Sequence, residues 1–144
     1  MFQGICPIKD IKRPKVPFPC FFIDYGSKIP EIKGSPVSTR THAINLLVES
    51  VTAPWILFFS PKVRIIEKNL PKLANDVDLI WSKGYYGNKE IDFGPLYYAV
   101  FVKKNKFPIL DNELSESEAF LKLFNQLKGL KNREVFPPYW SVIE

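Results

Sequence analysis

Ser60 and Lys62, separated by Pro61, follow the apolar run WILFF at a place where ligand contacts are expected. In α/β proteins, ligands bind beyond the carboxyl ends of the strands. The ammonium group of Lys62 could place a fixed positive charge next to a phosphate group. A surface lysine that simply follows a strand is the alternative interpretation, so the pair marks a candidate binding edge.

Three other charged residues could bind a ligand or transfer a proton. Asp24 ends the apolar run CFFID, and its carboxylate could accept from a base or a ribose hydroxyl, or from backbone N–H groups of a turn. Arg40 stands near a predicted helix start, where its planar guanidinium suits phosphate. Glu118 could act as a general base, or it could complete a capping box that begins at Ser115.

The residues that most often bind transition metals are few in this chain. His42 is the only histidine, so a histidine-based metal cluster is excluded. Cys6 and Cys20 lack the spacing of a zinc site and are interpreted as two buried thiols. A disulfide between them is possible if their strands are neighbours, which inside cells is mostly a hyperthermophile trait. The abundance of Lys, Ile and Pro agrees with a thermophilic source.

Aromatic pairs at Tyr85-Tyr86, Tyr97-Tyr98 and Tyr139-Trp140 could stack on a base or a sugar. Interleaved with basic residues, as in YYAVFVKKNK, they could also bind single-stranded nucleic acid. Packing inside a sheet is the alternative interpretation for all three pairs.

The elements that must position these residues are short apolar strands and two amphipathic helices. Helices are predicted at STRTHAINLLVESV, capped by Ser38 or Thr39, and at SESEAFLKLFNQLKG, ended by Gly129. The segment KVRIIEKNLPKLAND is predicted as a short helix or turn, and GYYGNKEIDFG as a loop. Strands are predicted at FQGICPI, CFFID, APWILFFS, VDLIWS and PLYYAVFVKK. The alternation indicates an α/β domain over residues 1–144, with a mostly parallel central sheet flanked by helices.

The formal net charge of +5 and the pI of about 9.2 favour phosphate-bearing ligands: nucleotides, nucleic acid or lipid head groups. A solvated basic surface explains the same charge. The sequence shows neither a signal peptide nor eighteen consecutive apolar residues, so we expect a cytoplasmic protein without a membrane span.

Four segments carry a family resemblance, in the family's order. FFIDYGS is similar to V-D-[DN]-G-S, TRTHAIN to R-N-x-G-I, and WILFFSPKV to a strand that ends F-L-D-x-D. The segment PILDNELSESEAFLKLFNQLKG is similar to G-F-D-E … E-D-x-x-L-x-x-R-L-x-x-x-G. Together they resemble the GT-A fold of inverting, family-2-type glycosyltransferases, which transfer a sugar from a nucleotide-sugar donor. The resemblance covers residues 20–129.

The resemblance implies roles for particular residues. Asp24 falls on the aspartate that contacts the nucleotide base, Arg40 on the family's arginine, and Glu118 on the general base. Ser60 and Lys62 stand where the family has two metal-binding acids. The resemblance therefore implies transfer from a nucleotide-sugar to an unknown acceptor without a tightly bound metal ion.

Two other functions agree with the same sequence. The chain could be a catalytically inactive GT-A-like binding module, since the metal-binding acids are replaced. It could also be a small basic nucleic-acid-binding protein of viral or mobile-element origin. Nucleotide binding and the salt dependence of oligonucleotide binding would separate these functions.

Overall fold

The computed structural model describes residues 1–26, 39–92 and 98–143. In these ranges the helices are α1 (Arg40–Ser50) and α2 (Glu116–Lys128), and short 3₁₀ turns lie at Glu67–Asn69 and Lys104–Lys106. The strands are β1 (Phe2–Ile8), β2 (Cys20–Asp24), β3 (Trp55–Phe59), β4 (Val63–Ile65), β5 (Leu79–Trp81), β6 (Gly84–Tyr86), β7 (Lys89–Ile91), β8 (Ala99–Lys103), β9 (Asn132–Glu134) and β10 (Trp140–Val142).

The central sheet has six strands in the order β2-β1-β3-β8-β5-β9. β1 pairs in parallel with β2 and with β3, and β5 pairs in parallel with β9. β8 is antiparallel to both of its neighbours, β3 and β5. Five of the six strands therefore run in one direction, which confirms the predicted mostly parallel α/β sheet. As a consequence, β1, β2 and β3 all end at the same edge.

Strand β3 is apolar throughout because both of its faces are covered. Ile56 packs into a core beneath the helices, and Leu57 packs into a second core on the opposite face; both are fully buried. The helices lie on the Ile56 side. Their buried residues are Thr41, Ala43, Ile44 and Leu47 on α1, and Ala119, Phe120, Leu123 and Leu127 on α2. Among the described residues, no helix is long and apolar enough to cross a membrane.

A second sheet, in the order β4-β10-β6-β7, contributes to the core on the Leu57 side. The hydroxyl of the buried Tyr139 donates to the carbonyl of Ala99 at 2.9 Å, and the indole N–H of Trp140 donates to the carbonyl of Ser82 at 3.1 Å. These bonds join the C-terminal segment to the central sheet and to the strand region before β6. In the described part of the chain, helices thus cover one face of the central sheet only.

Three short elements differ from the sequence prediction. The segment predicted as a loop contains the β6–β7 hairpin, whose turn includes Gly87 at a φ of 62°, in the left-handed region that favours glycine. The segment predicted as a short helix or turn begins with β4, and the stretch LKNREVFPPYWSVIE, for which the sequence indicates one possible strand, contains both β9 and β10. Of the two predicted caps of α1, Thr39 is the N-cap, whereas Ser38 lies outside the described residues.

Cys6 and Cys20 lie on neighbouring strands, and both thiols are free. In the β1–β2 register, Cys20 is opposite Gly4 and Cys6 is opposite Phe22, so the cysteines are diagonal neighbours. Diagonal Cα atoms are typically about 7–8 Å apart, beyond the usual disulfide range. We therefore expect two thiols and no bridge.

Candidate functional site

A cleft of about 460 Å³ opens at the edge where β1, β2 and β3 end. Its walls come from the segments after β1 and β2, the first residue of α1, the end of β3, and α2. The lining residues are Pro7, Lys9, Ile11, Tyr25, Arg40, Phe58, Phe59, Ser60, Pro61, Lys62, Tyr98, Phe120 and Phe124. Three cationic side chains therefore stand among aromatic and apolar walls.

The turn that follows β3 fixes Ser60 and Lys62 at this cleft. The Ser60 N–H donates to the carbonyl of Tyr98 at 2.8 Å, and the Ser60 hydroxyl accepts from the Lys62 N–H at 3.1 Å. The carbonyl of Lys62 accepts from the N–H of Ile143 at 2.8 Å. The backbone of the turn is thus held on both sides, while the side chain of Lys62 remains exposed.

Arg40 is held between the N-termini of the two helices. Its guanidinium carbon lies 3.9 Å from the centroid of the Phe120 ring, close enough for a cation–π interaction. Its Nε lies 3.2 Å from Oε1 of Glu116, the first residue of α2, as an ion pair without hydrogen-bond geometry. The side chain is 41% exposed, so part of the guanidinium remains accessible from the cleft.

Tyr25 links this arrangement to the end of β2. Burial raises the pKa of the Tyr25 hydroxyl; Arg40 opposes this increase, and the charges of Glu116 and Asp24 add to it. Arg40, Glu116 and Asp24 therefore all act on the Tyr25 hydroxyl, and of these four residues Tyr25 and Arg40 line the cleft. Ser60 and Lys62 line the same cleft.

Asp24 adjoins the cleft without lining it. Its Oδ1 accepts from the N–H of Gly26 at 2.9 Å and from the N–H of Asp10 at 3.1 Å, which is the turn role considered from the sequence. The turn is tight: a Cβ on Gly26 would lie 2.6 Å from Oδ2 of Asp10. The hydrogen bonds that the described residues make to Asp24 reach Oδ1.

Glu118 does not come together with the other predicted site residues. Its side chain is exposed, and its Oε1 accepts from the Ser115 hydroxyl at 2.7 Å. The Ser115 hydroxyl also accepts from the Glu118 N–H at 3.3 Å, as the predicted cap requires. Glu118 lines a separate shallow hollow that includes Leu114 and Leu121. The geometry therefore places it in the capping role, away from the cleft.

The carboxylate on α2 that contacts a cleft residue belongs to Glu116, which the sequence reasoning missed. A usable signal exists. Glu116 and Phe120 are four residues apart and share a helix face, and Phe120 belongs to the apolar face of α2. The four-residue spacing from Phe120 therefore predicts that Glu116, and not Glu118, is the acid nearer the sheet.

The side chains at the end of β3 do not fit a divalent metal ion. The turn offers a hydroxyl and an ammonium group, whereas Mg²⁺ and similar ions prefer several carboxylate and other oxygen ligands. In the described ranges no three His, Cys, Asp or Glu side chains are grouped closely enough to hold a metal. Lys9, Arg40 and Lys62 supply positive charge at this cleft instead.

Of the predicted aromatic pairs, Tyr85-Tyr86 lies on β6 with Tyr86 53% exposed, and the described members of the other two pairs lie in the core or at the cleft. Tyr98 lines the cleft and packs against Trp140 with their ring centroids 5.3 Å apart, while Tyr139 is fully buried. Phe124 also lines the cleft. Tyr97 lies outside the described residues. Two aromatic side chains of the described residues, Tyr98 and Phe124, thus line the cleft together with the cations.

No protein-family model and no curated relative matches the chain. Solved structures do match. Residues 1–349 of the S. aureus glycosyltransferase TarS give a TM-score of 0.63 at 11% identity, covering 98% of this chain and 60% of theirs. The complex of the same TarS fragment with UDP gives the same values. A further TarS structure gives a TM-score of 0.64 at 12% identity; the match covers 99% of this chain and 36% of the TarS chain.

This chain has a GT-A-like fold. The predicted fold class is confirmed. The chain spans 60% or less of the TarS chains it matches. At 11–12% identity the likeness establishes the fold and assigns no role to an individual residue.

Proposed function

We propose that this chain is a small glycosyltransferase whose cleft binds a nucleotide-sugar without a tightly bound metal ion. The observation that carries the proposal is the convergence of Lys9, Arg40 and Lys62 with aromatic side chains at the edge where three parallel strands end. Cations suit a diphosphate, and aromatic faces suit a base. The UDP complex of TarS, which has a similar fold, supports the same ligand class.

The three cations take the part that a metal ion plays in related reactions. When the bond between the sugar carbon and the diphosphate oxygen breaks, negative charge develops on the leaving group. Lys62 and Lys9 are exposed on the rim and can approach that charge. Arg40 is already held by Phe120 and Glu116, so its guanidinium needs little reorganisation to contact phosphate.

The nucleoside would lie against the wall formed by the ends of β2 and α2. Oδ2 of Asp24 could accept from a ribose hydroxyl or from a base N–H, while its Oδ1 keeps the turn together. Tyr98 and Phe124 line the cleft and would contact the base. This arrangement retains the binding role that the sequence resemblance implied for Asp24.

Transfer also needs a carboxylate that accepts the proton of the acceptor hydroxyl as the new bond to the sugar carbon forms. The sequence resemblance implied Glu118 for this step. We assign the step to Glu116, because its carboxylate lies 3.2 Å from a cleft residue whereas that of Glu118 is bonded to Ser115. A general base must be held close to the cleft in which the reacting groups meet.

The test compares UDP with uridine on the Lys62→Met variant by isothermal titration calorimetry. A lost charge-assisted contact is worth roughly 1.5–3 kcal/mol, so UDP affinity should fall about tenfold or more. Uridine affinity should stay within about twofold, because no phosphate is present. Lys68→Met is the matched control, since Lys68 is equally exposed and does not line the cleft.

The control should leave both affinities unchanged. If Lys62→Met weakens UDP and uridine equally, the lost term is not attraction to phosphate and the assignment of Lys62 is wrong. If neither ligand binds the unmodified protein, the cleft is not a nucleotide site.

A second function, a binding module that does not catalyse transfer, is favoured by one observation: Glu118 is bonded to Ser115 and lies away from the cleft. Such a module would bind UDP and show neither transfer nor hydrolysis of a nucleotide-sugar. A coupled assay that measures the release of UDP from UDP-sugars distinguishes the module from the enzyme.

A further inference from the structure

The loop between β1 and β2 concentrates positive charge beside the cleft. Residues 9–15 carry four cations and one acid, a net charge of +3 in a chain whose total is +5. The cations are Lys9, Lys12, Arg13 and Lys15, and all four side chains are exposed. Among the described residues, no carboxylate lies within ion-pair distance of any of them. We call residues 9–15 the basic loop.

The basic loop is anchored at both ends. At its start, the N–H of Asp10 donates to Asp24, and after its end the carbonyl of Pro19 accepts from the N–H of Gly4 at 2.8 Å. Between these anchors Phe18 packs against Phe2 and Phe59, with ring centroids 5.2 Å and 6.0 Å away. The charges are therefore displayed on a positioned segment, which lowers the entropy cost of binding.

Two exposed isoleucines stand at the same rim. Ile11 lies within the basic loop, lines the cleft and is 47% exposed. Ile143 is also 47% exposed, and its N–H is bonded to the carbonyl of Lys62, which lines the cleft as well. Protein surfaces that bind in the membrane interface typically combine apolar side chains with surrounding lysine and arginine residues.

We propose that the basic loop, together with Lys62, Ile11 and Ile143, docks this protein on an anionic membrane surface with the cleft opening toward the lipid head groups. The cations are attracted to the negative surface potential, and the isoleucines enter the boundary between head groups and acyl chains. The docking is peripheral and needs no spanning helix.

Nucleic acid fits the same surface less well. Proteins that bind single strands offer exposed aromatic rings on which bases stack. The one aromatic residue that follows the basic loop before β2, Phe18, is packed against other rings. The exposed isoleucines, in contrast, have no role in contacting a phosphate backbone.

The test is co-sedimentation of the full chain with vesicles of phosphatidylcholine, with and without 30% phosphatidylglycerol, at about 100 mM salt. Each cation near an anionic leaflet strengthens binding roughly fivefold. The Lys12→Gln, Arg13→Gln, Lys15→Gln triple variant should therefore bind anionic vesicles on the order of 100-fold more weakly. The matched control replaces the exposed Lys122, Lys128 and Lys131, which removes the same charge from another surface.

The control triple variant should change vesicle binding by less than about fivefold. Ile11→Ser should weaken binding roughly fivefold with no change in charge, because half-exposed apolar surface no longer enters the interface. Ile109→Ser, at an equally apolar residue that is 88% exposed and does not line the cleft, should have no effect.

Equal losses in the two triple variants would mean diffuse attraction and would overturn the proposal, as would failure of the unmodified protein to bind anionic vesicles. A 20-nucleotide single strand is the competing ligand: if it binds tightly through the basic loop while Ile11→Ser leaves vesicle binding unchanged, the surface is a nucleic-acid site. The UDP affinity of the same variants is measured in a separate titration. A variant that loses vesicle binding is thereby distinguished from one whose nucleotide site has failed.

Discussion

Gly84 is the position at which one added carbon atom should disturb the second sheet most. A Cβ at this residue would lie 2.3–2.4 Å from three ring carbons of Trp140, closer than real Cβ contacts come. The Trp140 ring is 2% exposed and its N–H is bonded to the carbonyl of Ser82, so it cannot withdraw without losing burial and a hydrogen bond. Overpacking of this kind costs roughly 1–3 kcal/mol.

We therefore expect Gly84→Ala to lower the free energy of unfolding by roughly 1–3 kcal/mol. For a chain of this size that lowers the Tm by roughly 3–10 °C. Urea denaturation followed by circular dichroism gives the free energy, and thermal melts give the Tm. Tryptophan fluorescence should report a changed environment of Trp140.

Gly129→Ala is the matched control, because it makes the same chemical change at a site with room. The nearest atoms to a Cβ on Gly129 are backbone oxygens at 3.5 and 3.9 Å, and its φ of −76° and ψ of −11° are open to alanine. This variant should be stabilised by about 0.4–1 kcal/mol, because the unfolded chain has fewer conformations. Equal stability of the two variants would refute the packing argument for Gly84.

Three other predictions concern titratable groups. Burial raises the pKa of Cys20 to about 12, so the native protein should react slowly with a thiol reagent at pH 8 and rapidly after unfolding in urea; rapid native reaction would contradict the burial. The hydrogen bond from Arg133 lowers the pKa of Asp76, so its stabilisation is present above pH 4 and is lost as the pH falls through the lowered pKa. The difference in unfolding free energy between Asp76→Asn and the unmodified protein should therefore shrink below pH 4; a constant difference would count against the pair. In a transfer assay, Glu116→Gln should lower kcat at least roughly 100-fold, and Glu118→Gln should keep transfer; the reverse result would restore Glu118 as the base.

The elements with a strong periodic pattern could be predicted from the sequence. On α2, Phe120, Leu123 and Leu127 recur at helical spacing, and all three are buried. The run that forms β3 is apolar at every position because both faces of the sheet are covered there. Long-range packing selects the same structure as the local pattern in both cases, which explains the agreement.

The short elements of the second sheet could not be predicted equally well. β4, β6 and β7 have three residues each, and they belong to one sheet with β10, which begins at Trp140. Trp140 is 49 residues beyond the end of β7 (140 − 91) and 75 residues beyond the end of β4 (140 − 65). A Gly-Asn pair between YY and KEI does indicate a two-residue hairpin turn, and this signal was available for β6 and β7. β9 is a polar strand without such a signal.

The candidate site was predictable in part. Strand order and direction bring the end of β2 and the turn after β3 to one edge, as the apolar runs indicated. The contact between Arg40 and Glu116 could not be read from the sequence, because it depends on how the N-termini of α1 and α2 meet. Capping by Ser115 could be predicted locally, and the carboxylate of Glu118 accepts from the Ser115 hydroxyl.

Calorimetric titration of UDP into the unmodified full chain, in EDTA and in Mn²⁺, tests the central claim most directly. We predict saturable binding with equal affinity in the two buffers, and tenfold or more tighter than that of uridine, because Lys9, Arg40 and Lys62 supply the charge that holds the diphosphate. Absence of saturable binding, or binding that requires Mn²⁺, would contradict the account.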